Sequence, residues 1–168
     1  MSHVFGPDLV TALVNQAIGG QSVMYRMFKE ALRCDDTEIR RIELTYFAAA
    51  VMTYVFLRFG QNPNKEKILD DFTRMILEKS LPSSREQLTF GAAVKEYQQR
   101  FPEYGGLIDL LFTPDKSTSG DPAASLMMHA FQSVTGRTAR GHMILITAAS
   151  GLIQQFVIDH IDFVKEKL

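Results

Sequence analysis

The sequence predicts an all-α protein: a single-domain helical bundle of about six to eight helices, spanning residues 1–168. Three observations carry this. Apolar residues recur at helical spacing between glycine and proline breaks. No apolar alternation of period two persists anywhere. Apolar residues make up 46% of the chain and charged residues 22%, which suits a packed core rather than a disordered chain.

The elements follow in order. Leu9, Val10, Leu13, Val14 and Ala17 predict a helix over 7–18, with Pro7 in its first turn. Gly19-Gly20 is read as a break, and Val23, Met24, Met27, Phe28 and Leu32 as a second helix over 21–33. Asp35 and Glu38 resemble a capping box opening a helix from about 36 to 59, ended by Gly60. Asn62-Pro63 restarts the chain, and Ile68, Leu69, Phe72, Met75 and Ile76 give the stripe of a helix to about Ser80. The box Ser83 to Glu86 predicts a helix over 84–100, stopped by Phe101-Pro102. A short apolar patch around Leu107 to Phe112 predicts one or two helical turns. The polar stretch 113–120 predicts a mobile loop. Asp121-Pro122 opens a helix to about Gly136, and Thr138 opens the last one.

Two segments stand apart. Leu44 to Leu57 has no Asp, Glu, Lys or Arg in 14 residues, and Gly141 to Ile158 has none in 18. A helix apolar on every side lies in a bundle core or in a membrane. Gln154, Gln155 and His142 would be costly in lipid, which argues against stable membrane insertion. The expectation is therefore two central helices, about 37–59 and 138–165. They also resemble one another: Ala48-Ala49-Ala50 has the spacing of Ala148-Ala149-Ser150, and Phe56 matches Phe156. Close packing demands small residues in any case, so coincidence is preferred to duplication.

The net charge is −1, and the halves are balanced: 10 basic and 10 acidic residues over 1–84, 8 and 9 over 85–168. That excludes a basic nucleic-acid arm and a polybasic membrane anchor. The single Cys34 rules out an internal disulfide, and the first residues lack the basic and apolar regions of a signal peptide. A cytoplasmic protein is the expectation. Cys34 precedes Asp35 and Asp36, which would oppose a thiolate, so it reads as a packing residue.

The histidines form no metal-binding spacing, and no nucleotide or serine-nucleophile motif occurs, so neither metal nor cofactor is expected. Thr147, Ser150 and Gln154 share one face of the last helix, and Thr45, Ala49 and Thr53 one face of the other apolar helix. If these faces meet, they form a polar seam or line a pocket. The corresponding ligand site would comprise Tyr46, Tyr54, Arg140, His142, Thr147, Ser150 and Gln154. Arg137 and Arg140 at a helix start form a candidate anion site. Glu43 is expected to pair with Arg140 or Arg137, or to be a buried acid of raised pKa. Met127, Met128 and Phe131 form a candidate partner-binding patch, since methionine faces adapt to partner surfaces. The preferred function is non-enzymatic association with a protein partner or with itself as a homodimer. The alternative is a small-molecule or anion-binding protein, or an enzyme, using the seam.

Overall fold

The computed structural model describes residues 6–84, 86–113 and 120–167. Among them are six α-helices: α1 (Gly6–Glu30), α2 (Arg41–Phe59), α3 (Lys65–Ser80), α4 (Phe90–Phe112), α5 (Pro122–Thr135) and α6 (Met143–Lys167). Short 3-10 turns at Asp36–Glu38, Leu81–Ser83 and Ala139–Gly141 join some of them, and no strand occurs among the described residues. The all-α bundle is therefore as the spacing predicts. The expected mobile loop lies outside the described residues apart from its ends, Thr113 and Gly120.

Several helices start later than expected: α2 at Arg41 rather than about 36, with Asp35 giving no side-chain cap and 36–38 forming a separate 3-10 turn, α3 at Lys65 after Asn64 rather than at Asn62-Pro63, and α6 at Met143 rather than 138. Three further differences are larger. Gly19-Gly20 does not break α1. The buried stripe Leu13, Ala17, Gly20, Met24, Met27 runs through the pair without a change of phase, and tertiary packing outweighs the weak helix propensity of glycine. α1 runs on to Glu30, and the chain turns out of it at Arg33, which adopts a left-handed φ of 56°. There the Cys34 amide donates to the Phe28 carbonyl at 2.9 Å, a closure more often supplied by glycine.

The second difference is at α4. It begins at Phe90, where the Thr89 hydroxyl accepts from the Ala92 amide at 3.2 Å. Glu86, expected to close a capping box, turns instead to Arg40 at 2.6 and 2.7 Å. An ion pair with a second element takes the side chain that the local cap would need. The third is Pro102, which sits inside α4 rather than ending it. The carbonyl it leaves unbonded belongs to exposed Gln98, where water can satisfy it. Asp121 caps α5 as expected, accepting from the Ala123 amide at 3.0 Å, and Gly136 ends that helix at a φ of 68°.

α2 is the axis of the bundle and touches each of the other five helices. Its best apolar window is 78% buried. α6 was expected beside it as a second central helix, and this is corrected: its window is only 39% buried. α6 packs on α5, α2 and α1 through Ile146, Ala149, Ile153, Phe156, Val157 and His160. Its other face points outward. Absence of charge and burial are different properties, and six helices enclose only one of their number. Both helices are long and apolar enough to cross a membrane by length and composition.

Candidate functional site

The residues of the expected polar seam lie in separate places. Tyr46 is fully buried, its ring 6.1 Å from that of Tyr97 on α4. Its hydroxyl has no partner among the described residues. Burial pushes its pKa up, so the phenol stays neutral. The Thr53 hydroxyl is 3.1 Å from that of Tyr97, so this end of the α2 stripe faces α4. Tyr54 lies further along, donating to Asp109 and accepting from Arg58 at 2.7 Å. On α6, Thr147 and Gln154 are exposed, and Ser150 donates back to the Thr147 carbonyl at 2.7 Å. What α6 shows to α2 is apolar, with Phe156 5.6 Å from Phe47. The two polar stripes do not meet.

The other candidates are dispersed as well. His142 packs on Phe131 at 4.8 Å, with an Arg137 nitrogen 3.5 Å from its Nε2. Arg137 is paired with Glu38 at 3.1 Å, so of the expected anion pair Arg140 alone is exposed with no ionic partner among the described residues. Met127 and Phe131 are core residues, Phe131 stacking on Phe28, and Met128 is half-buried. They form no surface patch. Two open pockets lie elsewhere. One, of about 530 Å3, is lined by Tyr25, Arg26, Lys29 and Arg41 among others. The other, of about 380 Å3, borders Arg40 and Glu86. Among the described residues, no three His, Cys, Asp or Glu side chains gather where they could hold a metal ion.

Glu43 is fully buried and held by two arginines, one from its own segment and one from α4. Arg100 of α4 donates to it at 3.0 and 3.1 Å, and Arg40 at 2.9 Å. Arg40 also binds Glu96 at 2.8 Å and Glu86. Burial raises the Glu43 pKa, and the two guanidinium groups oppose that rise. Arg40 holds Glu86 below the usual carboxylate range. Every donor and acceptor pair here joins protein to protein, so the cluster clamps α2 to α4. The expected pairing of Glu43 with Arg140 or Arg137 is not formed. Arg40 lies three residues away and was legible as a helical neighbour. Arg100, 57 residues distant, was not.

The remaining candidate is the outer face of α6, which sequence reasoning placed in the core. Ile144 is 87% exposed, Leu152 50%, Met143 40% and Ile158 38%. Thr147, Ala148, Gly151, Gln154 and Gln155 complete the surface. Helical residues turn by about 100° each, so Ile144, Gly151 and Ile158, seven apart, stay within about 20° of one line. The paired glutamines and Thr147 were the sequence signal that this side is not core, since such residues are mostly exposed. Comparison of the chain with protein-family models, curated proteins and solved structures finds no match.

Proposed function

We propose that this protein acts by helix-mediated association, with the outward face of α6 as its docking surface. The supporting observation is the exposure of Ile144, Leu152 and Ile158 on a face without formal charge from Gly141 to Ile158. An exposed apolar strip of this length on a folded domain marks an interaction site. Thr147, Gln154 and Gln155 within it favour a protein partner over lipid, because amides find hydrogen bonds in a protein interface and none in hydrocarbon. The mode is that of one helix laid against another, read by residues spaced three, four and seven apart. No catalytic step is needed.

A photo-crosslinking residue at Ala148 tests this, with one at exposed Gln99 on α4 as control. Position 148 is expected to give a discrete protein adduct and position 99 none. Ile144→Glu should abolish the adduct without lowering the melting temperature, since Ile144 is not part of the core. Equal yields from both positions, or none from 148, would refute the association reading.

A further inference from the structure

We propose that the larger open pocket binds a small phosphate-bearing ligand, at a site independent of the α6 face. The pocket, of about 530 Å3, lies between α1, the start of α2 and the 3-10 turn Leu81–Ser83. Two neighbouring rows of α1, each stepping by four residues, form its long wall. Gln21, Tyr25 and Lys29 make one row, and Ser22, Arg26 and Glu30 the other. Arg41 enters from α2. Three cations from two helices therefore converge on one concavity.

These cations are held differently, and the difference points to an anion. Arg41 is fixed in place. Its guanidinium lies 4.7 Å from the centre of the Tyr25 ring and donates to Asp36 at 3.2 Å, and Tyr25 donates to the same carboxylate. That bond uses one Arg41 nitrogen, and the rest of the fork bonds to nothing else among the described residues. Arg26 and Lys29 are exposed, and neither makes an ion pair among the described residues. Glu30 is one turn beyond Arg26, in the order that gives the weaker helical pair. With Asp36 included, three cations face two carboxylates, so positive charge is left over. The smaller pocket is different. There Arg40 pairs with three carboxylates and Glu38 pairs with Arg137, so protein groups already use its charge.

The donors left over select the ligand. The Ser22 and Ser83 hydroxyls already donate to backbone carbonyls, at 3.3 and 2.9 Å. Recognition therefore rests on the three cations. A phosphate group carries up to two negative charges near neutral pH and offers three or more acceptor oxygens, enough for two guanidinium groups and an ammonium. A carboxylate has one charge and two oxygens, and satisfies fewer of them. The pocket lies within the volume range of small-molecule sites, so it has room for an organic group beside the phosphate.

Isothermal titration of the full chain with inorganic pyrophosphate at low salt tests this. Saturable one-to-one binding is expected. The double variant Arg26→Gln, Lys29→Gln should raise the Kd about tenfold or more, since hydrogen bonds to charged groups are worth at least that much. Both side chains are exposed and unpaired among the described residues, so the melting temperature of the free variant should match wild type. Lys29→Arg keeps the charge and should restore binding in the Arg26 wild-type background. Lys67→Gln with Lys167→Gln removes as much charge at residues that do not line the pocket, and should leave the Kd unchanged. Glycerol 3-phosphate separates the sources of the phosphate: binding as tight as inorganic phosphate assigns an ester, and binding of the inorganic ions alone assigns free phosphate. No saturable binding, or binding that the Arg26 and Lys29 double variant leaves unchanged, overturns the inference. Either result leaves the association reading of α6 to its own crosslinking test.

Discussion

Gly19 and Gly20 are neighbours in one helix, yet they are under opposite constraints. A Cβ on Gly20 would lie 3.0 Å from the His160 ring and 3.0 Å from Phe156, both buried on α6. Those rings are wedged in the core and cannot move aside easily. A Cβ on Gly19 would meet nothing within 4 Å. Gly20→Ala is expected to destabilise by about 1–2 kcal/mol, the overpacking cost exceeding the gain in helix propensity. Gly19→Ala should stabilise by about 0.5–1 kcal/mol, because only the propensity term remains. Thermal melts of the two variants, moving in opposite directions, check this; a shared sign would show that the α1–α6 approach is not tight. The sequence presents the pair as a single break. Only the identity of the opposing helix separates a residue that must be glycine from one that need not be.

Elements are joined here by apolar stripes and, at one end of α2, by charge. Glu43 is out of contact with water and takes hydrogen bonds from Arg100 and Arg40, whereas Glu86 is 44% exposed at its side chain. Breaking a buried pair leaves charge without compensation, while a surface pair is weakened by solvent. Glu43→Ala is therefore expected to cost about 3 kcal/mol. Glu86→Ala should cost less than about 1 kcal/mol. Urea unfolding midpoints give the comparison. Equal losses would mean that Glu43 is not the clamp between α2 and α4. At this scale the sequence was legible at the local caps Asp121 and Gly136, but not at Asp35 or Thr138, whose side chains cap no helix. It misled where a side chain with local capping potential had a better distant partner, as Glu86 has in Arg40. Pro102 misled for a related reason. Its lost hydrogen bond falls on the wet side of α4, so the helix continues through it.

The whole molecule carries a dependence on pH through His160, which joins α6 to α1. Its ring lies 4.4 Å from Phe156, and Nδ1 is 2.8 Å from the Phe156 carbonyl. Nε2 is buried without a partner among the described residues. Burial lowers the pKa and favours the neutral ring. In the unfolded chain the value is about 6.5. The native state therefore binds fewer protons than the unfolded state below that pH. The stability is fully present above about pH 6.5 and falls as the pH drops, by at most about 1.4 kcal/mol per unit. His160→Gln should flatten the stability profile between pH 7 and 5.5, where few carboxylates titrate. An unchanged slope would assign the acid sensitivity to other groups. By itself the sequence determined the all-α class, most of the helices and the two stretches without charge, because periodicity, caps and composition are local properties. Tertiary structure alone decided that α2 is enclosed while α6 keeps an open face. Burial depends on how many neighbours surround a helix, and five helices packed around α2 leave α6 with partners on one side only.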